Sequence, residues 1–254
     1  MKMKYCIIYL LFLPIFVSAQ INESDTLKVK SSLSFTGLWQ SGNVETLILR
    51  GRTDLSLKLI EKWVYKNTNS YIYQAFDKDK ADSDFLSLNF IYFNPEKRFY
   101  PQVLGFFSTN YRREIDYRFL TGAGATYQII KGDKNWLKAS LTIEYENTNF
   151  KNDQFNKTQY NNNNSINTFR GTIWMSGKYE LFKKVMVFKH ESYYQPSLED
   201  SDNYRWQFDL SLDFPVWKYL SFKINYLRTF ESVVILGQKR EDQFLTFGFT
   251  LQNF

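Results

Sequence analysis

After its first twenty residues, the chain alternates apolar and polar residues with a period of two. Successive side chains of a β-strand point to opposite faces, so this period predicts strands with one apolar and one polar face. The alternation is clearest in 47–58, 137–146, 204–213 and 220–226. It argues against an α-helical fold, in which apolar residues would recur about every 3.6 positions.

The alternation predicts twelve strands in the 254 residues of the chain. Most are longer than the about five or six residues usual in globular sheets. They reach the roughly 9–11 residues that a tilted strand needs to cross a bilayer, and their interiors lack proline, which would remove a ladder hydrogen bond. The predicted strands cover 27–40, 44–58, 63–77, 83–93, 99–112, 116–130, 135–149, 167–180, 184–195, 203–214, 218–231 and 242–253.

The connections between the predicted strands alternate between a short and a longer set, which is typical of outer-membrane barrels. Because lipid offers the backbone no hydrogen bonds, strands that cross a membrane must close on themselves. We therefore predict an all-β fold, a closed antiparallel transmembrane β-barrel with short periplasmic turns and longer extracellular loops. The short turns are 59–62, 94–98, 131–134, 181–183 and 215–217, and the longer loops are 78–82, 150–166, 196–202 and 232–241.

A soluble β-sandwich would show the same alternation, so other features must separate the two folds. Strand length favours the barrel, and so do aromatic residues at strand ends, where membrane barrels carry their interface girdles. Composition agrees, because 19% aromatic residues coexist with a mean hydropathy of −0.41. A barrel sends aromatic side chains to lipid and polar ones to the lumen and loops. The aromatic residues expected in the girdles are Trp39, Trp63, Tyr100, Trp136, Tyr179, Trp217 and Tyr219.

The first twenty residues have the pattern of a secretory signal peptide. A basic start precedes the apolar run 7–17, and small residues follow near Ala19. The run is short for a membrane span, and an uncleaved anchor helix is the alternative interpretation. We predict a cleaved signal peptide at 1–20, a single barrel domain at 21–254, and the bacterial outer membrane as the location.

The expected partners follow from this location. The barrel contacts outer-membrane lipid, and the barrel assembly machinery reads the last strand, which ends at Phe254. Phe254 is out of phase with the alternation of this strand, so we expect a kink or bulge at its end. The net charge of +6 could suggest nucleic acid, but the charges are spread along strands that face a lumen. We therefore expect no nucleic-acid partner, and a monomer.

The strand phases direct many charged residues towards the barrel interior. Paired charges could fill and stabilise the lumen, or a ring of excess positive charge could favour anions in a narrow pore. About eight strands fill their own interior and roughly 16–18 leave a channel, so twelve strands do not decide between a structural barrel and a solute pore. The residues predicted to line the lumen are Arg50, Arg52, Asp54, Lys138, Glu144, Glu146, Arg170, Lys178, Lys189, Glu191, Arg205, Asp209, Asp213 and Lys223.

The longest predicted loop, 150–166, contains four consecutive asparagines at 161–164. Its composition is typical of a flexible, solvated loop, and we expect this state. The alternative is a cap that binds a ligand over the barrel.

His190 and Ser192 are the only pair that suggests catalysis. They lie two apart on one predicted strand, and therefore on the same, lipid-facing side. This spacing resembles part of outer-membrane phospholipase A, also a twelve-stranded barrel, and implies a lipid-acting hydrolase as the alternative function, with Asn203 orienting the histidine. A hydrolase also needs an oxyanion hole. The Asn and Gly that follow the serine in that family are replaced by Tyr193 and Tyr194, so we expect no enzyme.

No cofactor and no metal site are predicted, because the mature chain would retain one His and no Cys. Acidic residues at 199–202 lie in a loop, where a weak surface Ca²⁺ site is the alternative. Gly122 and Gly124 lie inside a strand with no helix after them, so they are not a nucleotide-binding fingerprint. We expect them to ease curvature or to leave room inside the barrel.

Two segments resemble a known family. The segment 37–46 resembles its opening hairpin, in which a Ser-Gly-Asn turn follows a strand, and 226–230 leads through 237–239 to Asp242 and an alternating final strand, as in that family. The family comprises uncharacterised outer-membrane barrels of unknown function, often labelled as salt-induced outer-membrane proteins. At 230–237, where the family tends to have Asp and Pro, this chain has Glu231 and Ser232 followed by the apolar residues 233–236. The resemblance implies a location and a fold, without an activity.

Overall fold

The computed structural model describes residues 22–24, 28–42 and 45–252, so the predicted signal peptide and Phe254 lie outside the described residues. Each strand pairs antiparallel with its neighbours in the chain. The twelve strands are β1 (Val29–Gln40), β2 (Thr46–Ile60), β3 (Trp63–Phe76), β4 (Asp79–Phe93), β5 (Phe99–Asn110), β6 (Ile115–Ile130), β7 (Trp136–Phe150), β8 (Ser165–Leu181), β9 (Met186–Pro196), β10 (Tyr204–Trp217), β11 (Leu220–Glu231) and β12 (Glu241–Gln252).

The last strand pairs with the first and closes the barrel, from Ser32 opposite Gln252 to Gly37 opposite Phe247. The prediction of a closed, twelve-stranded antiparallel β-barrel is therefore confirmed. Within the described part of the chain, no helix has the length and apolar character that crossing a membrane requires. Each strand has a paired neighbour on both sides, so the sheet has no free edge, which is what closure achieves.

The two ends of the barrel differ in their connections. We call the end that carries the connections β1–β2, β3–β4, β5–β6, β7–β8, β9–β10 and β11–β12 the loop end. The opposite end, which also holds residues 22–24, is the turn end. One predicted loop is wrong: β4 begins at Asp79, so the loop predicted at 78–82 is a two-residue turn, Asp77–Lys78. Both turn residues have positive φ, 48° and 72°, as in the tight turns that match the twist of paired strands.

Side chains alternate between the two faces of the wall. On β1, Leu33 and Phe35 are exposed on the outer surface, whereas Ser32 and Ser34 are buried inside. Two of the residues expected in the aromatic girdles are exceptions. Tyr100 is 0% exposed and Trp136 is 1% exposed, because both belong to the inward parity of their strands. They pack inside the turn end, while Trp39 and Trp217 remain on the exterior.

Close packing between β6 and β7 explains the glycines of β6. A Cβ atom built on Gly122 would lie 2.2 Å from the Ile143 carbonyl oxygen, and one on Gly124 would lie 2.0 Å from that of Leu141. These distances are far inside van der Waals contact. The two glycines thus allow the β7 backbone, which carries Glu144, to approach the β6 backbone closely.

The β7–β8 loop packs against the β11–β12 loop through the buried Phe155, while most of its other side chains are exposed, as expected of a solvated loop. Phe155 pairs with Ile235 in an isolated antiparallel bridge, and the Leu236 N–H donates to the Gln154 carbonyl at 2.8 Å. The Asn156 side chain adds hydrogen bonds to the backbone at both 232 and 234. We call this packed pair of loops the loop cap. Its apolar cluster consists of Ile115, Phe150, Phe155, Ile166, Val233 and Ile235.

Candidate functional site in the barrel interior

A first group of charges, the central network, joins β2 to β9 and β10 across the lumen. Arg52 on β2 pairs with Glu191 on β9 at 3.0 Å and with Asp209 on β10 at 3.2 Å. Arg50 also pairs with Asp209, at 2.7 Å, and Arg52 holds Asp54 at 3.0 Å on its own strand. Strands β2 and β9 are not neighbours in either direction around the barrel. These side chains therefore span its interior.

A second group, the loop-end network, is built around two carboxylates. Glu146 on β7 is 1% exposed and contacts three guanidinium groups, those of Arg118, Arg170 and Arg205. Arg118 continues from Glu146 to Glu231 on β11 with a second ion pair at 2.7 Å. Buried ion pairs hold together when their geometry and extra hydrogen bonds offset desolvation, as these interlocking contacts do.

The remaining predicted lumen residues lie deeper or nearer the turn end. Lys189 pairs with Asp213, and Lys178 lies 3.8 Å from Glu180. Glu144 is fully buried and accepts hydrogen bonds from hydroxyl groups, including that of Thr172 at 2.7 Å. Lys223 is partly buried and faces the same interior as Asp209 and Asp213.

A third group joins the predicted lumen residue Lys138 to Glu23, a residue outside the strands that sequence reasoning missed. Glu23 is 5% exposed and enters the turn end of the barrel. The Lys138 ammonium lies 2.9 Å from one carboxylate oxygen of Glu23, and Lys66 lies 3.8 Å from the other. The Tyr100 hydroxyl donates to Glu23 at 2.7 Å. We call Glu23, Lys66, Tyr100 and Lys138 the turn-end carboxylate site.

The charges around Glu23 strongly favour its ionised form. Burial by itself would raise the pKa of this carboxyl group. The charges of Lys138 and Lys66 and the hydrogen bonds from Lys138 and Tyr100 outweigh burial and lower the pKa from 4.5 to about 2. Glu23 is therefore a carboxylate at neutral pH.

The interior also has an apolar wall. The sequence analysis predicted only charged residues for the lumen and did not predict this wall. The inward positions of β4 and β5 carry the buried residues Leu88, Tyr92, Tyr100 and Leu104. Between this wall and the loop-end network lies a cavity of about 110 Å³, counted as the space open to the centre of a water molecule. At roughly 10–15 Å³ per water, this cavity holds several water molecules. Its lining includes Ile72, Leu86, Phe106, Arg118 and Trp174.

The structure gives His190 packing contacts with aromatic rings. The His190 ring stacks on Tyr179 and Phe188 at centroid distances of 6.1 and 5.9 Å, over Gly177. Among the described residues, no hydrogen bond joins His190 to Ser192. Asn203, which we expected to orient the histidine, instead accepts from Arg170 at 3.0 Å and donates to the Tyr160 hydroxyl at 3.1 Å.

Among the described residues, no three acidic, histidine or cysteine side chains lie together in a way that could hold a metal ion. The loop acid Asp200 is engaged by the loop cap, since it accepts from Tyr160 at 2.5 Å and from Gln159 at 2.6 Å. The hydrogen bond from Tyr160 lowers the pKa of Asp200. Burial and the same hydrogen bond raise the pKa of Tyr160 to about 12.

Solved structures similar to this chain are outer-membrane barrels. The NanC porin aligns with a TM-score of 0.50 and 8% sequence identity, covering 88% of this chain and 100% of its own. The translocator domain of the autotransporter NalP from Neisseria meningitidis aligns with a TM-score of 0.46 and 13% identity, covering 89% of this chain and 87% of its own. At such identities the likeness concerns the fold. No curated protein sequence matches the chain.

One family model spans almost all of the barrel, from residue 33 to residue 252. Its description is a protein of unknown function, and it indicates no enzymatic activity. The chain therefore belongs to the family of proteins of unknown function DUF481.

Proposed function

We propose that this protein is an integral outer-membrane β-barrel whose interior is closed by its own side chains, with a structural role and no passive conduction in the resting state. The observation that carries the proposal is the central network, in which Arg52 is held by Glu191 and Asp209 on the opposite wall. Opening the lumen would separate these buried charges, and uncompensated buried charge is costly.

Both ends of the barrel support this proposal. At the loop end, the loop cap places Phe155, which is 2% exposed, over the barrel. At the turn end, Glu23 fills the mouth and is anchored to Lys138 and Tyr100. Solute would have to displace packed groups at both ends as well as the central network.

A narrow, anion-preferring pore is the second candidate, and one observation favours it. Lys178, Lys189 and Lys223 bring three cations to the interior near the turn end, where Asp213 pairs with Lys189 and Glu180 lies 3.8 Å from Lys178. Rings of excess positive charge set anion selectivity in pores. If the closing groups moved aside, this cluster would favour anions over cations.

Conductance in planar bilayers separates the two candidates. We expect wild-type protein to give no steady conductance steps. A variant that combines Arg52→Ala and Asp209→Ala with Glu23→Ala and Phe155→Ala should give steps, because it removes the central network and the closing groups at both ends. Glu96→Gln, an exposed substitution at the turn end, is the matched control and should stay silent. Steady wild-type conductance would contradict the closed structural barrel, and an anion-selective reversal potential in a KCl gradient would then support the pore.

Location and processing are further parts of the proposal. We propose export through a signal peptide cleaved after residue 20, insertion by the barrel assembly machinery through β12 and the end of the chain, and a monomeric state in outer-membrane lipid. Fractionation of the cell envelope, amino-terminal sequencing and mass determination in micelles test these points. The salt-induced label of similar barrels is tested by comparing protein levels at low and high osmolarity.

A further inference from the structure

Lys138 depends on residues 22–24 for its polar partners. Its ammonium group contacts the Asn22 side-chain oxygen at 2.5 Å, a Glu23 carboxylate oxygen at 2.9 Å and the Ser24 hydroxyl at 3.3 Å. Within the described residues, no strand side chain supplies Lys138 with a hydrogen bond or an ion pair. Its other close neighbours are the rings of Trp136 and Tyr100, at 5.1 and 5.9 Å.

Removal of Glu23 would leave an excess of buried positive charge. Lys138 is 2% exposed, and Lys66 lies beside it with Glu23 as the partner they share. An isolated buried ammonium group is strongly unfavourable, and an anion bound from solution would relieve this excess charge. Tyr100 would present a hydroxyl donor to that anion, as it now does to the carboxylate of Glu23.

The surroundings of the site indicate what kind of anion fits. A small cavity of about 40 Å³ adjoins Glu23. Its lining combines the aromatic residues Phe90, Tyr92 and Trp174 with polar residues that include Gln102, Ser140 and Glu191. Withdrawal of the Glu23 side chain would enlarge this space. Two cations and a hydroxyl donor at one end and aromatic rings at the other suit a carboxylate that has an apolar body.

We propose that the turn-end carboxylate site is a binding site for small organic carboxylates, which Glu23 occupies as an exchangeable internal ligand. Ser24, the residue after Glu23, is anchored because its hydroxyl donates a hydrogen bond to the Pro95 carbonyl at 2.5 Å. This anchor keeps the Glu23 side chain close to the site. A carboxylate solute must compete with this tethered group, which is present at high effective concentration. The site lies in the lumen of the barrel proposed above, and its occupancy does not depend on whether that barrel conducts.

Binding of benzoate to the full-length barrel in detergent micelles tests the proposal. Calorimetric titration and the fluorescence of Trp136, which packs against Lys138, are the readouts. We expect Glu23→Gln to bind benzoate at least tenfold more tightly than wild type, because the internal carboxylate is gone. Acetate should bind the variant more weakly than benzoate, since it lacks the ring, and chloride at the same ionic strength should bind most weakly.

Two control variants make the result decisive. Glu96→Gln removes an exposed carboxylate at the same end and should behave like wild type, and Lys138→Met in the Glu23→Gln background should abolish benzoate binding. Equal affinity in wild type and Glu23→Gln, or binding that survives loss of Lys138, would overturn the proposal. If Glu23→Gln does not fold, as judged by heat-modifiable gel mobility, Glu23→Asp should give an intermediate affinity, and an unchanged one would also overturn it. Steady conductance of the wild-type barrel would reject the closed lumen without affecting these titrations.

Discussion

Arg118 on β6 donates two parallel hydrogen bonds to Glu231 on β11, at 2.8 and 2.7 Å, across the interior of the barrel. The guanidinium group is 7% exposed and also contacts Glu146. Bidentate pairs of this kind fix both the distance and the orientation of the elements they join. This contact thus ties the first half of the barrel to the last hairpin.

Glu231→Gln should destabilise the barrel strongly, because it removes the carboxylate that Arg118 and Arg113 share, each at 2.7 Å. Glu146 and Asp242 would then compensate the two buried guanidinium charges only in part. Breaking a buried pair typically costs about 3–5 kcal/mol. Urea unfolding in lipid vesicles measures the loss. Lys58→Ala breaks the exposed pair with Glu96 and should change the free energy of unfolding far less. Equal effects of the two substitutions would show that the interior pair contributes no more than a surface pair.

Phe155→Ala should open the loop cap while the barrel stays folded. Truncating a buried phenylalanine removes about 3–5 kcal/mol of packing, and here the loss falls on two loops that can detach locally. Trypsin should then cleave after Lys151 or Lys157 several-fold faster. Leu236→Ala, at a side chain that is 67% exposed, is the matched control and should leave cleavage unchanged. Wild-type cleavage rates in Phe155→Ala would contradict the packed cap.

Acid should release Glu23 from the turn end. Its pKa is lowered from 4.5 to about 2 in the folded protein, so its stabilising contribution is complete above pH 4.5 and declines as the pH falls towards 2. We expect a change in Trp136 fluorescence over this window. Glu23→Gln should lack the change and Glu96→Gln should retain it. An identical transition in all three proteins would assign it to other carboxyl groups.

Gly122→Ala should impair folding, because the added methyl group would meet the Ile143 carbonyl oxygen of β7 at 2.2 Å. Overpacking of this kind costs about 1–3 kcal/mol or prevents the strands from pairing. Gly51→Ala is the control, since a Cβ atom there has no neighbour within 4 Å. Heat-modifiable gel mobility measures the folded fraction, and equal fractions for the two variants would contradict the close approach of β6 and β7.

The architecture could be predicted from the sequence because alternation is a local property of each strand, and closure follows from the need to pair every strand edge inside a membrane. Parity along β2 assigns Arg50 and Arg52 to one face, and the structure buries both side chains in the interior. The same rule would have placed Tyr100 inside, since it shares parity with Gln102 and Leu104. Its position near a strand end suggested a girdle instead, and the presence of aromatic residues on both faces of this strand hid the difference.

The partners of the interior charges could not be predicted. The carboxylate that pairs with Arg118 is determined by the barrel diameter and by the register of every strand pair between β6 and β11. No short segment of sequence encodes all of these registers together. Glu23 has no strand to give it a phase, and nothing in its neighbourhood marks it as buried. The apolar run 233–236 was visible, but its partner Phe155 lies about eighty residues away in an asparagine-rich loop.

The bridge between Phe155 and Ile235 makes two distant loops a single surface. Asn156 bonds to the backbone on both sides of Val233, so neither loop keeps this shape without the other. An antibody raised against this surface of the folded barrel would contact residues of both loops together. A synthetic peptide with the sequence of either loop alone would not reproduce its epitope. A tag inserted into one loop would alter the display of both. The β9–β10 connection offers no independent place for a label, because Asp200 accepts hydrogen bonds from Tyr160 and Gln159 of the same surface.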